Sequence, residues 1–255
     1  MIFSIPIYSD SFIHYLFALL QSIEDVYGDE GTICVYYADL SPRYIDEIKS
    51  KMPRVRLRQS FGPPVGSNTA ARIAHGLYLW QQQLDDASRD AKIVLLDADM
   101  LFIRRFNWVW DWEFDLAYTV KEEGDDNPQW PVNCGMMLVR NCSSARRFID
   151  EWIRIMKSDV ELPEWGGIQQ SAFGYILTCL DGTAANCTIR KMRCQQMNDI
   201  RRFPTITEDT HILHYKGKWR DVLPDGTWTS WIPEERGWHV YSIWRAAYER
   251  WQTRA

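Results

Sequence analysis

Ile93-Val94-Leu95-Leu96-Asp97-Ala98-Asp99-Met100-Leu101-Phe102 is the stretch on which the fold turns. Ala91-Lys92-Ile93-Val94-Leu95-Leu96 is a short apolar run of strand length, suited to a strand buried on both faces, as in a sheet covered by helices on either side. An Asp-x-Asp triplet follows it directly. With 21 Asp in 255 residues, about one or two such triplets arise by chance, so its position gives this one meaning. Ligand sites of open α/β sheets lie just beyond the carboxyl ends of strands. In an extended segment residues i and i+2 point to the same side, so Asp97 and Asp99 would repel one another unless a divalent cation lay between them. The competing reading is a solvated acidic loop.

Outward from this stretch the chain alternates strand and helix. Ile2-Phe3-Ser4-Ile5-Pro6-Ile7 reads as a strand, and Phe12, Leu16, Leu19, Leu20 and Ile23 form a helical stripe after it. Thr32–Tyr37 is β-branched and aromatic; Ser41-Pro42 then opens a helix through about Lys51, and a short strand lies around Val55–Leu57. Ser67 can cap a helix carrying Ile73, Ala74, Leu77 and Leu84. Alternation of this kind predicts an α/β layered fold. Further on, strands are expected at Leu116–Val120, Gly135–Val139 and His211–Tyr215, with helices at about Ser144–Lys157, Gly167–Leu180 and Trp238–Trp251. Six of the 13 Trp lie from Trp219 onward, so residues 219–255 are expected to form a Trp-rich extension packed on a main domain of residues 1–218. Within it Trp238, Tyr241, Trp244, Tyr248 and Trp251 read as a packing stripe, while Trp228 and Trp231 are candidates to meet a sugar face.

Composition narrows the function. A hydrophobic share of 46% and a charged share of 25% fit one globular domain with a sizeable core. Lys and Arg number 29 against 34 Asp and Glu, a net charge of −5, which argues against nucleic acid as a partner. No apolar run is long enough to span a bilayer, and Met1–Pro6 lacks the basic region of a secretory signal, so the cytoplasm is the expected compartment. The six Cys contain no Cys-x-x-Cys pair and read as reduced, packed residues. Arg190, Lys191, Arg193, Arg201 and Arg202 fall in a stretch expected to be loop-rich. Such a run is a solvated face or an attraction for an anionic acceptor or membrane headgroups.

Four more segments stand near the acidic triplet in chemistry. They are Ile7-Tyr8-Ser9-Asp10-Ser11-Phe12 with Tyr15-Leu16 after the first strand, Ala71-Arg72, Asn133-Cys134-Gly135, and Gly166-Gly167-Ile168-Gln169-Gln170. A fifth, His211-Ile212-Leu213-His214-Tyr215-Lys216-Gly217-Lys218-Trp219, brings imidazoles and lysines. Read singly these are ordinary: Asn-x-Gly is a turn signal, and a lone His is more often structural than a ligand. Two carboxylates and an imidazole together suit Mn²⁺.

In this order the segments resemble the metal-dependent nucleotide-sugar glycosyltransferases of GT-A fold, most closely glycosyltransferase family 8 and its relatives, over about residues 1–219. The resemblance implies a single Rossmann-like α/β domain with a mixed, mostly parallel sheet flanked by helices. It implies a hexosyltransferase using Mn²⁺ or Mg²⁺, with a nucleotide-sugar donor, a UDP-hexose, and a hydroxyl of a glycan, lipid-linked glycan or other molecule as acceptor. Asp97, Asp99 and His214 would hold the metal, with His211 the alternative ligand. Ser9, Asp10 and Phe12 would line the nucleoside, with Phe12 stacked on the base. Arg72 would reach the diphosphate and donor sugar, and Lys218, or Lys216 in its place, the diphosphate. Asn133 and Gln169 would bond donor-sugar hydroxyls, Gln169 joining Asp97 and Asp99 in the catalytic set. Ile168 stands where the family has an acid. Retention of anomeric configuration is implied; an inverting enzyme would need a carboxylate base, for which Asp115, Glu122, Glu123, Asp125 and Asp126 are candidates. A catalytically degenerate carbohydrate- or nucleotide-binding module is the alternative. Sugar-phosphate nucleotidyltransfer is disfavoured, because Ser9-Asp10-Ser11 stands where a glycine-rich basic loop would be.

Overall fold

The structure is a computed structural model; it describes residues 1–60, 69–122, 125, 130–162, 167–179, 186–200, 206–215 and 234–254, with backbone alone at 69–75, 179 and 234–240. The elements run β1 (Ile2–Ser9), α1 (Ile13–Tyr27), β2 (Thr32–Asp39), α2 (Pro42–Lys51), β3 (Arg56–Gln59), α3 (Thr69–Asp86), β4 (Lys92–Leu96) and β5 (Met100–Phe102). They continue β6 (Leu116–Val120), β7 (Val132–Arg140), α4 (Ser143–Met156), α5 (Ile168–Cys179), β8 (Ile189–Arg193), α6 (Cys194–Met197), β9 (Ile212–His214) and α7 (Glu234–Thr253).

Seven strands form one sheet in the order β3-β2-β1-β4-β7-β6-β8, and β5 and β9 form a separate ribbon. β1, β2, β3 and β4 run parallel, as do β6 and β8, while β7 runs antiparallel between β4 and β6. The sheet is thus mixed and mostly parallel, as expected. Both faces are covered, and β4 shows how: Val94 and Leu96 join the core under α1 with Phe3, Ile5, Phe17 and Leu20. Ile93 and Leu95 join the opposite core with Trp80 of α3, Phe148 and Trp152 of α4, and Phe173 of α5. Side chains on a strand alternate between faces, so a run apolar throughout is what two covered faces require.

The segment expected to be loop-rich around Arg190 is instead ordered as β8 and α6, and β8 closes the sheet beside β6. On it the Arg190 guanidinium lies 4.1 Å from the Trp112 ring centre and Arg193 donates to Glu122 at 3.0 Å. Arg201 and Arg202 lie outside the described residues. In α7, Tyr241, Trp244 and Trp251 face inward, while Trp228 and Trp231 lie outside the described residues. No helix among the described residues is long and apolar enough to cross a membrane.

Candidate functional site

Where β4 ends, the Asp97 amide still donates to the Gly135 carbonyl at 2.8 Å, and Asp97-Ala98-Asp99 then turns the chain into β5. The two carboxylates therefore converge through a turn, rather than through the strand alternation expected from their i, i+2 spacing. β5 pairs with β9 so that Met100 stands opposite His214, and Tyr215 N–H donates to the Asp99 carbonyl at 2.8 Å. This short ribbon carries the imidazole to the acids. His214 Nε2 lies 3.1 Å from Asp99 Oδ1 and 3.7 Å from Asp97 Oδ2, and one oxygen or nitrogen from each of the three residues lies within 4.8 Å of the others. Asp99 is buried at 3% side-chain exposure and Asp97 is open at 41%, so the cluster faces solvent on the Asp97 side. Of the two histidines left open by the sequence, His214 is the one in the cluster. The His211 ring lies edge-on to Phe106 and tilted against Trp108 instead, and burial holds its pKa below the ordinary histidine value.

Gly135 makes this approach feasible. A Cβ there would meet His214 Cε1 at 2.5 Å, His214 Nδ1 at 2.8 Å and Asp97 Oδ2 at 3.0 Å. The β6–β7 pairing shifts register here, from Tyr118 opposite Met137 to Thr119 opposite Asn133, a bulge that carries Gly135 out of the regular ladder. Asn133 is buried; its Oδ1 accepts from Gly135 N–H at 2.8 Å, and its Nδ2 has no hydrogen-bond partner among the described residues. A buried donor left unsatisfied costs stability, so an amide two residues along β7 from Gly135 has the chemistry of a ligand contact.

Around the cluster the other expected residues are placed unevenly. Ser9 Oγ bonds Ser11 Oγ at 2.6 Å, whereas Asp10 accepts from the backbone N–H of Ser41 at 2.9 Å and from its hydroxyl, tying the loop after β1 to the start of α2. The Phe12 ring lies 6.2 Å from that of Tyr15. Gln169, the second residue of α5, is half-buried, and its carbonyl accepts from Trp152 Nε1 at 2.9 Å. Arg72 lies on α3, with its side chain outside the described residues, as are Lys216 and Lys218 entirely.

Among the candidate bases, Asp115 sits at the opposite end of β6 from Thr119, about 13 Å away along the strand. It accepts from Thr188 N–H, Ser144 and Cys142, which removes it from consideration as a base at the cluster. Glu122 pairs with Arg193, and Asp125 is buried with one oxygen on the Glu122 amide. Glu123 and Asp126 lie outside the described residues.

Three residues at the site had no distinctive sequence signal. The Tyr8 hydroxyl lies against α3 at Gly76, and burial, reinforced by the charges of Asp97 and Asp99, pushes its pKa well above the ordinary phenol value. Thr119 and Asn198, both buried, connect Asn133 to His214 through hydrogen bonds.

No family model and no curated protein sequence matches the chain. Solved structures do. The bifunctional glycosyltransferase WbbM superposes with a TM-score of 0.62 at 14% identity, over 96% of this chain and 49% of its own. GlyE of Streptococcus pneumoniae TIGR4 gives 0.60 at 17% identity, over 99% of this chain and 63% of its own. The galactosyltransferase LgtC, in complex with donor and acceptor sugar analogs, gives 0.54 at 16% identity, over 94% of this chain and 100% of its own. The chain spans less than two thirds of WbbM and GlyE and the whole of LgtC. Taken with the strand order and the two covered faces, these likenesses place the chain in the GT-A-like glycosyltransferase fold.

Proposed function

We propose that the protein is a metal-dependent glycosyltransferase that moves a hexose from a UDP-sugar to a hydroxyl of a glycan, free or lipid-linked, or of another acceptor. The observation that carries this reading is the Asp97–Asp99–His214 cluster at the carboxyl end of β4, with the Asn133 amide, unpartnered among the described residues, two residues from Gly135 at its floor. A bound Mn²⁺ or Mg²⁺ held by these three residues would supply positive charge to the diphosphate that departs from the sugar.

The chain's own residues do the rest. Arg72, with Lys218 or Lys216, adds fixed cations around the diphosphate, for which guanidinium and ammonium groups are suited. Asn133 Nδ2 donates to a donor-sugar hydroxyl, and Gln169 holds a second one, fixing the sugar for attack. Ser9, Asp10 and Phe12 border the nucleoside. In a retaining reaction the acceptor oxygen forms the new bond to the anomeric carbon as the bond to the diphosphate breaks. The acceptor proton passes to a donor phosphate oxygen, so no side-chain base is needed. A second reading, a degenerate binding module, draws on Ile168 in place of the family's acid.

Calorimetric titration of UDP and GDP into metal-stripped protein, with and without Mn²⁺, separates the two. Manganese-dependent UDP binding that is lost in Asp97→Asn/Asp99→Asn, followed by hexose transfer from a UDP-sugar, is the expected result. Binding without turnover toward any hydroxyl or water would favour the module, and no nucleotide binding in either condition would end the donor-site reading.

A further inference from the structure

His214 is held from behind as well as in front. Thr119 Oγ lies 2.7 Å from the Asn133 carbonyl, to which it donates its only hydrogen. A carbonyl has no proton to give, so the Asn198 atom 2.8 Å from Thr119 Oγ must be the donor, the Nδ2 amide. Asn198 Oδ1 then faces His214 Nδ1 at 2.8 Å, and an acceptor in that place requires the hydrogen to be on Nδ1. In the neutral ring the remaining nitrogen, Nε2, then turns its lone pair toward Asp99 Oδ1 at 3.1 Å and Asp97 Oδ2 at 3.7 Å. Every member of this chain is buried: Thr119 and Asn198 at 0%, Asn133 at 1% and His214 at 4% exposure. Bulk water is therefore kept from supplying alternative partners. A lone pair facing two carboxylates is unfavourable on its own, and it becomes favourable when a cation lies between them. Turning the Asn198 amide over would reverse the assignment, put the hydrogen on Nε2, and strip the Asn133 carbonyl of the Thr119 hydroxyl.

We propose that Thr119 and Asn198 are positioning residues that hold His214 as its Nδ1–H tautomer, so that Nε2 is presented to a divalent cation shared with Asp97 and Asp99. This rests on the metal reading of that cluster. The relay also starts at Asn133, whose side-chain amide has no partner among the described residues. One residue thus gives its carbonyl to the metal side and its amide to the sugar side, so a shift of β7 at Asn133 would move both.

The test uses the full chain in two measurements. In protein labelled with ¹⁵N at histidine and saturated with diamagnetic Mg²⁺, the ring nitrogen shifts of His214, assigned by its loss in His214→Gln, should show Nδ1 protonated and Nε2 bare. The opposite tautomer would overturn the relay. Calorimetric titration with Mn²⁺ alone should show Asn198→Leu, which has no acceptor, binding about 10- to 100-fold more weakly than the unaltered protein. Asn198→Asp, which keeps an oxygen facing Nδ1, should restore that affinity. Asn198→Leu with unchanged Mn²⁺ affinity would sink the proposal, as would failure of Asn198→Asp to rescue. Should Asn198→Leu not fold, Thr119→Val replaces it: it frees the Asn198 amide to turn, and both tautomers of His214 should then appear, where a single unchanged tautomer counts against the relay. A protein that binds no Mn²⁺ but shows the Nδ1–H tautomer in metal-free buffer would overturn the metal reading and leave the hydrogen-bond assignment standing.

Discussion

Gly135 is the residue on which the closeness of Asp97 to His214 depends. Its backbone needs no special dihedral; what it lacks is a side chain, and the added carbon of alanine would lie 2.5 Å from His214 Cε1 and 3.0 Å from Asp97 Oδ2. Those atoms must then move apart by several tenths of an ångström or more, and misplacement on the scale of an ångström costs roughly 100-fold in a site built on orientation. Gly135→Ala should therefore lose about 100-fold in the proposed glycosyl transfer and weaken the proposed Mn²⁺ binding, with the far-ultraviolet dichroism unchanged. Undiminished Mn²⁺ affinity in the variant would show that the ring can step aside. At this scale the sequence is legible where residue type is chemically scarce. An acidic pair after an apolar strand stands out, and a histidine 115 positions later completes it. Thr119 and Asn198 were not legible: threonine and asparagine satisfy hydrogen bonds everywhere, and these two meet across 79 residues of chain.

Among the elements, those whose pattern is local could be read and those defined by their partners could not. β6 was expected at Leu116–Val120 and is found there, and α4, expected at about Ser144–Lys157, runs Ser143–Met156 with Phe148, Ile149, Trp152 and Ile153 buried on one stripe. β8 was missed because Ile189-Arg190-Lys191-Met192-Arg193 is an edge strand carrying exposed cations, a composition that blocks pairing on its free side and imitates a loop in sequence. β5, at three residues, is too short for any period to show. α7 was legible as an aromatic stripe, and its seam against α1 can be tested. Trp251 is fully buried, stacks on Phe17 at 4.7 Å, and donates from Nε1 to Glu47 at 2.9 Å. Lys51 Nζ donates to the carbonyls of Trp251 and Gln252, capping the last turn of the helix. Trp251→Ala removes one of the two buried tryptophans of the seam and should cost about 3–5 kcal/mol in urea unfolding. A loss under about 1 kcal/mol would show that α7 adds little to the stability of the rest.

Over the whole molecule the run β3-β2-β1 follows from strand–helix alternation, because right-handed crossovers put successive parallel strands side by side, whereas the return of β4 to the far side of β1 does not follow from it. The placing of antiparallel β7 between β4 and β6 does not follow, since pairing partners are set by contacts far apart in sequence. That second half is tied together at the end of the sheet away from the cluster by Asp115. Its carboxylate accepts from Thr188 N–H just before β8 and from Ser144 at the start of α4, while its carbonyl accepts from Arg140 N–H at the end of β7. Burial pushes the Asp115 carboxyl up, but the hydrogen bonds from Thr188, Ser144 and Cys142, with the Arg140 charge, outweigh it and hold its pKa below the ordinary value. The sign follows from linkage. A carboxyl whose pKa is lower folded than unfolded contributes stability above the unfolded value of about 3.9, and that contribution disappears as pH falls through the folded value. Asp115→Asn keeps the shape and loses the charge. The variant should be less stable than the unaltered protein at pH 7, and its stability should fall less steeply below about pH 4, so that the two urea-unfolding curves of stability against pH approach one another in acid. Curves that stay parallel down to the acid transition would show that Asp115 holds β6, β8 and α4 by shape alone, and that the acid sensitivity of the fold arises at other carboxylates.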